Sequence, residues 1–273
     1  MFRVNRRRSA ITSALIIFEL IYHSVVHSIR SAHGNAIMSL VTNLMQMAIM
    51  ILAFYIMFSL LGLRGAALRG DFLIYIMSGI FLYMTHVKAV GSVSGSAGPS
   101  SPMMLHAPMN TIVSIASAAL ASLYLQFLSA FVILFCYYMA VTSFVIDKPM
   151  AVIAMLLLAW FTGCAVGMVL LAIKPWFPGF VAAFTLIYQR ANMIASGKMF
   201  VANSMPSFML AMFDWNPLFH IIDQSRGFAF INYNPRNSNW EYALIVGIVL
   251  IMIGLMGEFY TRRNASVSWN ARR

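Results

Sequence analysis

The 273-residue chain is 61% hydrophobic and only 9% charged, with a net charge of +11. Soluble domains devote about a quarter of their residues to charge, so this balance excludes an ordinary water-soluble fold. The basic residues fall between apolar runs and do not gather beside stacking aromatics, which excludes a nucleic-acid surface and leaves topology-setting loop cations.

Arg6, Arg7 and Arg8 precede an apolar stretch as in a signal peptide, but Glu19, His23 and His27 interrupt it. No small-residue cleavage site follows, so the segment is expected to remain in the mature protein. Over 11–29, Ile11, Leu15, Phe18, Tyr22, Val25 and Ile29 recur at steps of three and four, while Thr12, Glu19, His23, His27 and Arg30 share another face. This predicts an amphipathic interfacial helix within 9–33, ended by Gly34.

Spans one to five are expected over 37–195. The first covers 37–61, with Asn43 and Gln46 as its strongly polar side chains. The second covers 72–90, with His86 and Lys88 near its exit, and leads into a Gly- and Ser-rich connection. The third, over 110–141, exceeds what a bilayer requires. Asp147, Lys148 and Pro149 turn the chain into the fourth, 151–173, where Gly163 and Gly167 form a small-xxx-small step that admits a neighbouring helix. The fifth covers 179–195. Cys136 and Cys164 lie inside apolar runs, where they read as buried thiols without disulfide or metal spacing.

Between 197 and 239, Pro206, Pro217 and Pro235 break an apolar stretch too polar for a simple span. Two short re-entrant helices are expected there, one capped by Asn203 or Ser204 before Pro206, the other by Asn216 before Pro217. The last span is placed at 240–260, before Arg262 and Arg263. With about six spans both termini share one side. That side collects Arg3, Arg6, Arg7, Arg8, Arg30, Lys88, Lys174, Arg262, Arg263, Arg272 and Arg273, and is read as cytoplasmic. The opposite side holds Arg64, Arg69, Lys148, Lys198, Arg226 and Arg236, diluted by Asp71, Asp147, Asp214, Asp223 and Glu241.

The order Arg190, Ser196-Gly197-Lys198-Met199-Phe200, Met205-Pro206, Asn216-Pro217-Leu218-Phe219-His220 and Arg226-Gly227, ahead of a final span, resembles the permease subunits of ABC-2 type exporters, in particular those exporting capsular polysaccharide. The resemblance covers nearly the whole chain, which it makes a single ABC-2 type transmembrane domain, 1–273. It implies a homodimer in the bacterial inner membrane, both termini cytoplasmic, joined to two ATP-binding-cassette ATPase subunits. Periplasmic and outer-membrane export proteins are implied as further partners, and a lipid-linked, acidic polysaccharide as cargo. ATP and Mg would be bound by the partner, because the chain has no G-x-x-x-x-G-K-[ST] loop. The elements 11–29 and 89–108 are expected to transmit ATPase motion, with Glu19, His23, His27, Arg30 and Lys88 as contact residues.

Residue by residue, alternatives stay open. Arg190, deep in the fifth span, is costly there without a partner or water; it lines the cargo route or is braced by Asp223, Asp214 or carbonyls. His220, Asp223 and Arg226 share a face of one short helix, as a gate or as caps of a surface helix. Tyr137, Tyr138, Trp160 and Phe161 either stack on sugars or pack and anchor the spans. Glu19, His23 and His27 have ligand chemistry at four-residue steps, yet an interfacial helix already demands polar groups there. Competing functions are an ABC-2 permease for O-antigen, teichoic acid or a drug, an intramembrane acyltransferase using His106 (with Asn110) or His220 as base, and a passive channel, which needs more polar pore-lining positions than the spans supply.

Overall fold

Apolar runs of this length fold as helices because lipid offers no partner to an unpaired backbone N–H or C=O. The computed structural model describes residues 10–31, 34–62, 71–97 and 111–264, with the side chains of 10–15 and 31 left aside. Among them are nine α-helices and no strand: α1 (Ala10–Ser31), α2 (Ala36–Leu60), α3 (Phe72–Gly95), α4 (Thr111–Ala140), α5 (Pro149–Ile173), α6 (Pro178–Ala195), α7 (Ser207–Phe213), α8 (Pro217–Ala229) and α9 (Trp240–Asn264). A 3-10 turn at Ala202–Ser204 precedes α7. Five helices, α2, α3, α4, α5 and α9, are long and apolar enough to cross a bilayer. The chain is an all-α, multi-pass membrane protein.

The expected fifth crossing, α6, falls short of that standard. Its 18 residues rise about 27 Å, and Gln189, Arg190 and Asn192 make its second half polar. It nevertheless runs between the two ends of the bundle. At its entry, Lys174 Nζ donates to Ser94 O at 2.9 Å near the end of α3; at its exit, Lys198 packs against Gly79 near the start of α3. Midway, Tyr83 Oη donates to Gln189 O at 3.0 Å, and buried His86 bonds Tyr188 Oη at 2.9 Å and Thr162 Oγ1 at 3.1 Å.

Helix α3 is the centre of the bundle: 78% of its most apolar stretch is buried inside the protein, against 17% for α9. Glycines set the spacing of its neighbours. A Cβ on Gly163 would lie 2.5 Å from His86 O, and one on Gly167 2.8 Å from Val93 Cβ, so α3 occupies the predicted small-xxx-small step of α5. On the other side of α5, Gly247 and Gly254 of α9 sit as close to Phe161 and Met168. At 30 residues, α4 reaches about 45 Å, longer than the roughly 30 Å of hydrocarbon. Helix α1 packs on α4 and α2, with Ser24 Oγ donating to Ser117 Oγ at 2.9 Å.

Some boundaries differ from those read in the sequence. Helix α3 continues to Gly95, because Ser94 returns its hydroxyl to the Gly91 carbonyl and stays helical in a Gly- and Ser-rich context; of the expected coupling connection, residues 98–108 lie outside the described residues, as do His106 and Asn110. Helix α9 runs to Asn264, one turn beyond the expected end. Neither Asn203 nor Ser204 caps α7. Pro206 itself occupies the capping position with extended backbone (φ −61°, ψ 147°) and no side-chain acceptor. Asn203 is instead drawn to the chain before α9, donating to Asn234 O at 2.8 Å and accepting from Arg236 N–H at 3.3 Å.

Candidate functional site

The polar groups of 196–239 converge at one end of the bundle, where the exit of α6 meets α8. Asn216 connects the two helices. Its Oδ1 accepts the Leu218 N–H at 3.0 Å, starting α8 ahead of Pro217, while its Nδ2 donates to Asn192 Oδ1 and Ala195 O, both at 2.9 Å, finishing α6. The chain leaves α6 through Gly197, whose φ of +72° favours glycine. A Cβ there would also lie 2.6 Å from the Phe219 ring, so space and conformation demand the same residue.

Arg226, 1% exposed, fills the corner so formed. Nη1 donates to Gly197 O at 3.0 Å and Phe200 O at 2.7 Å, Nη2 donates to Lys198 O at 2.7 Å, and the guanidinium lies 4.2 Å from the Tyr75 ring centre. Three carbonyls that no helix satisfies thus share one cation, through charge-assisted bonds stronger than neutral ones. Its Nε has no partner among the described residues.

Lys198, 3% exposed, points the other way. Its ammonium stands over the faces of Tyr83 (3.5 Å) and Phe54 (4.7 Å), with no hydrogen-bond acceptor among the described residues. Burial pushes its pKa down from 10.5 to about 7, while the negative ring faces favour the charged form. Gly79 makes the space: a Cβ there would stand 2.8 Å from Lys198 Cβ and 3.0 Å from Arg226 Nη2.

His220 and Asp223 share α8 with Arg226, but each is held by a different segment. His220 Nδ1 accepts from Asn239 N–H at 3.1 Å, which leaves Nε2–H to donate to Asp214 O at 2.7 Å. Both ring nitrogens are thus hydrogen-bonded to backbone groups. Asp223, 2% exposed, accepts from the Tyr233 and Ser238 hydroxyls. Burial first, then this carboxylate, push the Tyr233 hydroxyl up. All three polar groups of the expected gate are engaged in joining α8 to the chain around it.

Arg190 stands apart. It is exposed on α6 and forms no ion pair among the described residues. Of its possible bracing partners, Asp223 is held by Tyr233 and Ser238, and the exposed Asp214 carboxylate lies 3.4 Å from His220 Nε2.

The aromatic path residues divide in the same way. Trp160 donates Nε1–H to Ala119 O at 2.9 Å, and its ring packs beside Ala89, Val93 and Met168. Tyr137 is buried and donates to Asp71, which itself caps α3 by accepting Leu73 N–H. Tyr138 is exposed beside Phe144. Among the coupling residues, Glu19, His23, His27 and Arg30 are all exposed on α1, with Glu19 and His23 4.0 Å apart. Lys88 is half-buried two turns before the end of α3 and donates to Gln46 Oε1 at 2.5 Å.

Sequence reasoning counted Lys198 among loop cations and passed over Tyr75 and Gly79. The available signal was a lysine flanked by Gly197 on one side and Met199-Phe200 on the other. No protein-family model matches the chain, and no curated protein matches it either.

Proposed function

We propose that the chain is the transmembrane subunit of an ATP-binding-cassette exporter that moves a lipid-linked, acidic capsular polysaccharide across the bacterial inner membrane. The observation that carries this reading is the joint between α6 and α8. Ser196-Gly197, Asn216-Pro217 and Arg226, three of the pieces on which the sequence resemblance rests, meet there in one buried assembly. A permease whose energy comes from another subunit needs no nucleotide site of its own, and the chain has no phosphate-cradling loop.

In this reading the whole chain is one transmembrane domain of six crossings, α6 being the fifth, and two copies form the passage. Both termini are cytoplasmic, α1 lies in the headgroup layer, and α7 and α8 re-enter from the far side. The exposed Arg190 faces anionic cargo, and Tyr138 borders the same route. The exposed polar face of α1 and the connection after α3 receive the motion of two ATPase subunits, which hold ATP and Mg. Periplasmic and outer-membrane proteins continue the path.

The test is co-purification with a P-loop ATPase, followed by glycan export in inside-out vesicles with and without that subunit. ATP-dependent export only with both subunits is the expected result. Acyl transfer, or transport without the ATPase, by the purified chain overturns the proposal. The glycan that accumulates in the cytoplasm of cells lacking the chain distinguishes capsule from O-antigen or teichoic acid.

A further inference from the structure

At the opposite end of the bundle from the Arg226 corner, α2, α3 and α4 line a small, half-open cavity of about 200 Å³. Four of its walls are carboxamides or the one cation: Asn43, Gln46, Gln126 and Lys88. Hydroxyls of Ser39, Thr42, Ser92 and Ser122 supply most of the rest, and no acidic side chain lines it among the described residues. Between helices selected for apolarity this is expensive chemistry, since intramembrane polar groups are retained only with partners or a role.

Much of the wall is internally satisfied. Asn43 Nδ2 donates to Ser129 Oγ at 2.8 Å and to Leu125 O at 3.3 Å, and Gln126 Nε2 donates to Asn43 Oδ1 at 2.9 Å. Two capacities are left over. Gln126, 1% exposed, has an Oε1 with no donor among the described residues. The Lys88 ammonium has three N–H donors and gives one to Gln46. An unmet acceptor on α4 and an underused cation on α3, both lining this pocket, suit a ligand that carries both a hydroxyl donor and an anionic oxygen.

Size and neighbourhood narrow the class. The cavity is smaller than the roughly 300–1,000 Å³ of drug-sized sites, which suits a headgroup. Leu125 lines it and also lines an adjoining apolar groove of about 850 Å³, walled by Phe18, Val25, Leu40 and Leu128 and with Arg30 as its charged member among the described residues. Polar chemistry beside a long apolar trough matches a lipid with its chains attached.

We propose that this cavity binds the hydroxylated phosphate headgroup of an anionic phospholipid such as phosphatidylglycerol, the phosphate on Lys88 and a headgroup hydroxyl on Gln126 Oε1, with acyl chains along the α1–α2–α4 groove. This proposal does not rest on which cargo the chain exports.

Native mass spectrometry of the purified full-length protein, given phosphatidylglycerol, phosphatidylcholine or phosphatidic acid, tests it. Wild type is expected to retain phosphatidylglycerol about tenfold over phosphatidylcholine, about 1.4 kcal/mol. Lys88→Gln, which keeps a hydrogen-bonding side chain, is expected to abolish that preference; Gln126→Leu is expected to bring phosphatidylglycerol down to the level of phosphatidic acid, which has no glycerol alcohol on its headgroup. Equal retention of phosphatidylglycerol and phosphatidylcholine by wild type overturns the proposal even if no variant folds. So does a preference that survives Lys88→Gln and disappears in Arg30→Gln, which would place the phosphate in the groove. Thermal stabilisation by sn-glycerol 3-phosphate alone, lost in Lys88→Gln, keeps the phosphate-and-hydroxyl chemistry but overturns a lipid source.

Discussion

Arg190 on α6 and Arg226 on α8 are both cations in the apolar C-terminal half of the chain, and the structure treats them oppositely. Arg226 is buried, ring-stacked and bonded to three carbonyls; Arg190 is exposed and without an ion-pair partner among the described residues. The backbone explains the difference. Facing Arg226, the chain at 197–200 has left one helix and not begun the next, so its carbonyls lack helical partners and a five-donor guanidinium can satisfy several at once. Along α6 the carbonyls are already bonded within the helix, and a cation there must turn to lipid headgroups, water or another molecule. One arginine completes the fold, and the other is left available to a partner or a cargo.

The comparison breaks most visibly if the buried cation is removed. Arg226→Met leaves the Lys198 and Phe200 carbonyls without their donor and Gly197 O with only the long Phe200 N–H bond (3.4 Å), each lost partner costing about 1–3 kcal/mol. Monodisperse protein measured by size-exclusion chromatography in detergent is expected to fall at least tenfold, and abundance close to wild type would show that the corner is dispensable. Asn216→Ala removes the α8 cap and two donors to the end of α6, and should lower stability by about 2 kcal/mol, read as a reduced midpoint of thermal unfolding.

Lys198 gives the corner a pH signature. Its folded pKa, about 7, lies below the unfolded 10.5, so above pH 7 the unfolded chain binds more protons than the folded one and stability rises with pH. Below about pH 7 both states are protonated and this dependence disappears. The thermal midpoint is therefore expected to climb between pH 7 and 9, and Lys198→Met should flatten that climb. The smallest stability effect belongs to the exposed cation. Arg190→Ala should change stability by less than about 0.5 kcal/mol while reducing export per assembled complex; equal losses of export and abundance would assign it to bracing.

Much of the helical plan was legible because it follows from local pattern. The runs that became α2, α4, α5 and α9 announce themselves by hydropathy, Gly163 and Gly167 by their spacing, and Asn216-Pro217 by cap chemistry. What escaped was set by contacts distant in sequence. Nothing local to Lys198 indicates that Gly79 clears space for it or that Tyr83 and Phe54 face it. Likewise Asn203 reads as a helix cap until the chain near Asn234 and Arg236 returns to claim its side chain. For Trp160 the sequence left sugar stacking and packing both open, and the structure shows its indole N–H taken up by a carbonyl of the adjacent helix.

The glycine contacts of α5 have a mechanical consequence. With α3 seated against Gly163 and Gly167, and α9 seated through its own Gly247 and Gly254, these three helices pack at close range and form a stiff plank. Helix α6 is fastened to that plank by a few side-chain hydrogen bonds, and Val181 and Asn192 are its buried members. Strain applied to the bundle is therefore expected to distort the α6 seam before it separates α3, α5 and α9.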